Sequence, residues 1–242
     1  MKALVFAAGF GERMRPLTEH TPKPLLEVGG KPLIVRHLEK LAAAGATDVV
    51  VNTSWLAPMF PAALGDGSRW GVRLHYSLEG DVPLETGGGM FHALPWLRGP
   101  GGGNDAFVAV NGDIYSDLDY AALPRDPAGD AHLVLVDNPA HHPGGDFALD
   151  EDGHVAADGG SRLTFAGIGV YRPSLFAGWR TAAAGATGLD EDPPRFQLAP
   201  LLRAAMARGA VTGEHHRGRW TDVGTPGRLA ALDAALRDAS HG

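Results

Sequence analysis

Gly9 and Gly11 stand between an apolar run, Ala3 to Ala8, and a cluster of cations, Arg13, Arg15 and Lys23. Without Cβ atoms the chain can turn tightly at these glycines and bring backbone N–H groups close to a phosphate. Arginine forks and a lysine point charge then balance the anionic charge that those donors leave over. A triphosphate asks for that combination. Far along the chain two aspartates occupy distinctive settings: Asp113 in Asn111-Gly112-Asp113 after an apolar run, and Asp222 in Trp220-Thr221-Asp222-Val223-Gly224-Thr225-Pro226. Two carboxylates suffice for a magnesium ion, which keeps several waters and shares its other positions with substrate phosphates. Only folding could join them, and taken singly each also reads as a turn residue or a helix-entry acid.

The elements that must position these residues follow from periodicity. Ala3 to Ala8 is short and continuously apolar, as in a strand buried on both faces of a parallel sheet. Ile34, Leu38, Leu41 and Ala42 form one face of a helix that Gly45 can close. Asp48 to Asn52 is a second buried strand, so the chain opens β-loop-α-β. Trp55 to Leu64 reads as a short irregular helix because Pro61 would lie inside it, and Val72 to Ser77 alternates like a strand with one wet side. Leu84 to Gly89, L-E-T-G-G-G, reads as a loop before a helix carrying Met90, Phe91, Leu94 and Leu97. Its bare backbone can lie against a flat ligand. After a glycine-rich loop from Arg98 to Asn104, the strand Phe107 to Val110 delivers Asn111 and Asp113 at its carboxyl end, where ligands gather in open α/β sheets.

His132 to Val136 continues the sheet, and strand candidates at Phe147 to Leu149 and Leu163 to Tyr171 follow. Residues 138–172 read as a lid or small β subdomain, since each piece is too short for its own core. A loop from Thr181 to Pro194 leads to a helix on Leu198, Leu201, Leu202, Ala205 and Met206, then a strand from Val211 to His215. Thr225 caps a last helix with Pro226 first and Leu229, Leu232 and Leu236 facing inward. His141-His142 and His215-His216 lack the spacing of a zinc pair and read as solvated. Trp55, Trp96, Trp179 and Trp220 read as packing residues, with Trp220 set apart by its nearness to Asp222.

A dinucleotide fingerprint fails at Met14, and a P-loop fails for want of G-K-S or G-K-T. The pattern present is Ala7-Ala8-Gly9-x-Gly11-x-Arg13, followed by Pro16-Leu17-Thr18 and Pro22-Lys23-Pro24. It resembles the signature of sugar-1-phosphate nucleotidyltransferases, and the resemblance runs from Ala3 through the helix after Pro226. It implies a Rossmann-like, three-layer α/β/α (GT-A-like) fold with a mixed, mainly parallel central sheet and a small β lid, residues 1–242 forming one domain. It also implies roles. Ala8, Gly9, Gly11 and Glu12 belong to the loop that wraps a nucleoside triphosphate; Arg13 supports the β,γ-phosphates and Lys23 the phosphates near the reacting centre. Asp113 and Asp222 hold Mg²⁺, while Glu85, Thr86 and Gly87 lie against the nucleobase. Asn111, with Asp146, Ala148, Arg162 and Gly167 of the lid strands, faces the sugar phosphate. Many relatives carry a Glu-Lys pair before the second lid strand, where this chain has Gly160-Ser161-Arg162.

Asn52 to Leu56 and Leu84 to Gly89 look most like the branch that transfers uridylyl from UTP to N-acetylmuramate 1-phosphate in cell-wall sugar recycling. A mannose-1-phosphate guanylyltransferase using GTP is the alternative, and a catalytically silent nucleotide-sensing subunit is a rival of another class. Composition narrows the field further. The 242 residues, 44% hydrophobic, can bury one core, and a net charge of −7 argues against a nucleic-acid polymer as partner. The absence of cysteine excludes disulfides, thiolate metal sites and thiol nucleophiles. No apolar run approaches the ~18 residues of a membrane span, and no cleavable signal precedes the first strand. A cytoplasmic enzyme, monomeric or a small homo-oligomer, is the expectation. No hexapeptide repeat announces an appended β-helix.

Overall fold

The computed structural model describes residues 1–99 and 101–239. One residue of the glycine-rich loop and the last three of the expected single domain therefore lie outside the described residues. Strand β1 (Lys2–Phe6) leads through three 3₁₀ turns to a hairpin of β2 (Glu27–Val28) and β3 (Lys31–Pro32). Then come α1 (Leu33–Ala43), β4 (Asp48–Thr53), α2 (Met59–Leu64), β5 (Arg73–Leu78) and α3 (Glu85–Leu97). Strands β6 (Phe107–Asn111), β7 (Ile114–Ser116), β8 (Ala131–Val136), β9 (Phe147–Leu149), β10 (Val155–Ala156) and β11 (Arg162–Tyr171) follow. The chain ends with α4 (Trp179–Ala182), α5 (Ala199–Met206), β12 (Val211–His215), β13 (Trp220–Asp222) and α6 (Pro226–Ala239).

β5, β4, β1 and β6 run parallel in that order. Antiparallel β11 joins β6 to β8, and β12 lies parallel to β8, so the sheet is mixed but mainly parallel. Period-2 alternation splits its strands between two apolar layers. Ala3, Val5, Val49 and Val51 pack with Ile34, Leu38 and Leu41 of α1. Leu4 and Val50 pack on the other face with Met90 and Leu94 of α3 and Leu201 and Leu202 of α5. Each such aliphatic side chain contributes roughly 1.5–3 kcal/mol by leaving water. These are the three expected layers. The amino-terminal end of β11 also pairs with β9, and β9 with β10, so the segment 138–172 shares a strand with the central sheet. Among the described residues no helix is long and apolar enough to cross a membrane.

One expectation needs correcting. L-E-T-G-G-G is not a loop ahead of a helix: α3 begins at Glu85 and contains all three glycines. Their missing side chains serve packing. A Cβ on Gly87 would lie 2.6 Å from the Phe196 ring, and one on Gly89 would lie 2.4 Å from Glu79 Oε1.

That close approach leaves room for a buried relay across the carboxyl ends of the strands. The Ala7 N–H donates to Asn52 Oδ1 (2.7 Å), Asn52 Nδ2 donates to Glu79 Oε1 (2.6 Å), and the Leu84 N–H donates to Glu79 Oε2 (2.7 Å). Glu79 is 5% exposed. Burial pushes its carboxyl up to about 7, against the opposing pull of the two donors. Between the ordinary carboxylate range and that value, the folded chain holds a proton that the unfolded chain has released. Stability is therefore lost as pH rises from about 4.5 to about 7. Urea unfolding at pH 4.5 and pH 8 should show wild type losing up to about 3 kcal/mol more than Glu79→Gln over that interval. Equal losses in the two proteins would contradict this.

Candidate functional site

The site grows from the exit of β1. Gly11 takes φ +66°, and a Cβ there would lie 2.8 Å from Thr18 Cγ2. Thr18 Oγ1 donates to the Gly11 carbonyl (2.8 Å), and Trp55 Nε1 donates to the Thr18 carbonyl (2.9 Å). The Trp55 ring meets Phe10 edge-on at 6.0 Å. Met14, which spoiled the dinucleotide fingerprint, is the loop's apolar anchor, buried with Val28, Leu33, Val223 and Leu232. Gly9 has no protein atom within 4 Å of its Cβ position, so its bareness serves nothing inside the protein and leaves the backbone approachable.

This loop forms one wall of a cleft of about 660 Å³. Ala8, Gly9, Gly11, Glu12, Arg13, Lys23, Glu85, Thr86, Asn111 and Asp113 all line it, so the structure gathers most of the expected nucleotide residues. Gly87 does not line it. It is buried behind the wall, and its N–H and that of Gly88 both donate to the Phe196 carbonyl (2.9 Å each). The Thr86 hydroxyl accepts from the Leu198 N–H (3.0 Å), leaving Glu85 and the start of α3 to face the cleft. Glu85 holds a left-handed φ of +63°, a strained setting for a residue with a side chain.

Lys23 Nζ lies 2.5 Å from Asp113 Oδ2, with the lysine side chain only 9% exposed. Asp113 is placed by the tight turn after β6. The Gly112 N–H donates to the Phe6 carbonyl (2.9 Å), and a Cβ on Gly112 would lie 2.7 Å from that same oxygen. From below, α1 holds the strand that follows. His37 Nε2 donates to the Ile114 carbonyl (2.9 Å), so its Nδ1 accepts from the Tyr120 hydroxyl (2.8 Å). Burial lowers the His37 ring to about 4, which keeps it neutral. Lys40 Nζ reaches the Ser116 and Leu118 carbonyls at 2.6 and 2.8 Å.

Asp222 arrives through a short ribbon. β13 pairs antiparallel with β7, setting Asp222 opposite Ile114, and the Val223 N–H donates to the Asp113 carbonyl (2.9 Å). The two aspartates are thus neighbours in the backbone, although far apart in sequence. Their carboxylates engage different cations: Asp222 Oδ1 lies 2.5 Å from Arg228 Nη1 and 3.1 Å from His141 Nε2. The Thr225 hydroxyl caps α6 by accepting from the Arg228 N–H (3.3 Å).

The expected sugar-side residues spread further apart. Gly167 lies against Asn111: its φ is +74°, at a register shift in β11, and a Cβ there would be 2.5 Å from Asn111 Nδ2. Asp146, Ala148, Arg162 and Gly167 do not line the cleft. The Asp146 carboxylate accepts from the Phe165 N–H (2.8 Å) and meets His142 at 3.0 Å. Arg162 of β11 pairs with Ala148 of β9 and is exposed.

Sequence reasoning missed Asn52, Glu79 and Arg195 in the cleft lining, and His37 and Lys40 beneath it. An Asn ending an apolar strand, and polar residues at i and i+3 on an otherwise apolar helix face, were the available signals. The adjacent histidines lie, as expected, in a partly solvated loop (His141 and His142) and at a strand end (His215 and His216), and each also has a carboxylate partner. His215 meets Asp137 at 2.9 Å and His216 meets Asp117 at 2.8 Å, so all four face carboxylates. Trp220 proves structural, its Nε1 donating to the Ala166 carbonyl (2.9 Å) in β11.

Comparisons with known proteins place the chain in a family. A model of the Nucleotidyl transferase family matches residues 2–144. The chain is 46% identical over 241 residues to the N-acetylmuramate alpha-1-phosphate uridylyltransferase of Neisseria meningitidis serogroup B, covering 97% of each protein. It is 37% identical over 158 residues to the mannose-1-phosphate guanylyltransferase of Mycobacterium tuberculosis, covering 64% of this chain and 42% of that one. The fold is shared with a putative glucose-1-phosphate thymidylyltransferase from Bacillus anthracis, at a TM-score of 0.80 and 22% identity over 98% of this chain and 96% of that one. With a family model spanning more than half its length and a relative almost coextensive with it, the chain belongs to the nucleotidyl transferase family.

Proposed function

We propose that this protein transfers uridylyl from UTP to N-acetylmuramate α-1-phosphate, giving the UDP-sugar and pyrophosphate. The observation that carries nucleotidyl transfer is the cleft itself, where Gly9 to Arg13 and Glu85 share walls with the Lys23–Asp113 pair. The near-coextensive uridylyltransferase relative supports the choice of substrates, and it supports UTP over GTP because the guanylyltransferase relative matches only part of its own length.

The reaction asks for positioning and charge. A sugar 1-phosphate oxygen is already ionised at neutral pH, so it attacks the α-phosphorus in line without a general base, and the α–β bridging oxygen departs with pyrophosphate. Backbone N–H groups of the Gly9–Arg13 loop and the Arg13 guanidinium receive the departing phosphates. Lys23, desolvated beside Asp113, supplies positive charge near the reacting phosphorus. Glu85 and the first turn of α3 face the base. Asn111, backed by Gly167, faces the acceptor, and residues 138–172 act as a lid over it. The enzyme works in the cytoplasm as a monomer or small homo-oligomer.

The donor chemistry fits magnesium. Asp113 and Asp222 offer two hard oxygen donors on adjoining backbone, and among the described residues no group of three or more His, Asp or Glu is placed to hold a metal ion. Two carboxylates suit an ion that takes its other ligands from water and phosphates. When bound, Mg²⁺ supplies charge stabilisation to the phosphoryl oxygens. Each carboxylate already has a cationic partner, Lys23 or Arg228, so the ion would compete for it.

Asp113→Asn keeps an oxygen acceptor for Lys23 and should leave the fold intact, while lowering kcat by about a hundredfold or more. Unchanged turnover in that variant would remove Asp113 from the machinery. Pyrophosphate release should require UTP with N-acetylmuramate 1-phosphate. Release with GTP and mannose 1-phosphate, and none with the uridylyl pair, would overturn the substrate assignment.

A further inference from the structure

Arg228 lies in the first turn of α6, and its guanidinium folds back over Gly224, a residue of the cleft lining. A Cβ on Gly224 would lie 2.4 Å from Arg228 Nη2. The side chain is held by one nitrogen only. Nη1 contacts Asp222 Oδ1 at 2.5 Å and His141 Nε2 at 2.7 Å, whereas Nε and Nη2 make no hydrogen bond among the described residues. His141 belongs to the same loop as Asp146, ahead of the first lid strand. The cation is therefore oriented before any ligand arrives, with one edge of its fork unspent.

Other cations around the cleft differ in setting, although Arg228, like Lys23, is paired with an aspartate. Lys23 is paired with Asp113. Arg195 is clamped to Glu191 at 2.9 and 3.2 Å and sits at the end of the cleft that holds Glu85. Arg13 belongs to the glycine loop, while Arg228 and exposed Arg162 both stand outside the cleft lining, Arg228 reaching its rim over Gly224. An N-acetylmuramate acceptor brings a second anion besides its phosphate: muramic acid carries a carboxylate, ether-linked at C3, that mannose and N-acetylglucosamine lack.

We propose that Arg228, steadied by His141, receives the carboxylate of the acceptor sugar and so selects carboxylate-bearing acceptors. This rests on the uridylyl-transfer reading above. A planar guanidinium matches a carboxylate with two parallel N–H donors, which a lysine cannot reproduce. Holding the fork in place beforehand, through His141 and, until magnesium takes its carboxylate, Asp222, removes ordering cost from acceptor binding.

The test measures kcat and KM for wild type, Arg228→Met, Arg228→Lys and His141→Ala at saturating UTP and magnesium. The acceptors are N-acetylmuramate 1-phosphate and N-acetylglucosamine 1-phosphate, also run in direct competition. In Arg228→Met the preference for the muramate acceptor should fall at least about tenfold, mainly through its KM, over and above any loss common to both acceptors. Arg228→Lys should restore only part of the preference, and His141→Ala should lose a smaller part. Equal losses on both acceptors, or an unchanged preference, would overturn the proposal and leave Arg228 as a prop for Asp222. Wild type that releases no pyrophosphate from UTP and N-acetylmuramate 1-phosphate would defeat the underlying reading and this proposal with it.

Discussion

β1 is clamped between β4 and β6 in one shared register, Phe6 lying opposite both Asn52 and Asn111. The three strands therefore end level. The chain leaving β1 emerges between two asparagines, one of which binds the Ala7 N–H while the other stands at the cleft beside Gly167. A slip of one residue would reverse the facing of every side chain in β1, driving Leu4 into the layer of Ala3 and Val5 and breaking both apolar clusters. Because burial on both faces fixes the register, it also fixes where the glycine loop begins.

The second requirement is to bring two aspartates from distant parts of the chain onto adjoining backbone, Asp113 lining the cleft and Asp222 standing behind Gly224 at its edge. The protein does this with backbone, through the three-residue ribbon of β7 and β13, and then holds that ribbon from beneath with the buried His37 and with Lys40 of α1. A neutral imidazole is suited to that task. It satisfies a buried carbonyl without adding charge next to the Lys23–Asp113 pair. The two aspartates thus share a backbone scaffold while keeping separate counter-ions, Lys23 and Arg228.

Much of this was legible in the sequence. The buried strands announced themselves as apolar runs, Thr225 and Pro226 marked the start of α6, and the glycine–arginine–lysine pattern marked the loop. What escaped notice were interactions without a local period. β7 and β13 are too short to alternate, and nothing in either stretch names the other as partner. The relay joins Asn52 of β4 to Glu79 just past β5, and its need for a bare Gly89 leaves no local mark, because a run of three glycines reads equally well as a loop. Asp146, Ala148 and Arg162 follow from the resemblance alone: the Asp146 carboxylate accepts from the Phe165 N–H, Ala148 and Arg162 pair between β9 and β11, and Arg162 is exposed.

The most direct test of the account is a crystal structure of the protein with magnesium and a non-hydrolysable UTP analogue. The account predicts phosphates against the backbone of Gly9 to Arg13, uracil beside Glu85, and metal-bound oxygens from both Asp113 and Asp222. A nucleotide seated elsewhere, or a metal ion that neither aspartate touches, would contradict it.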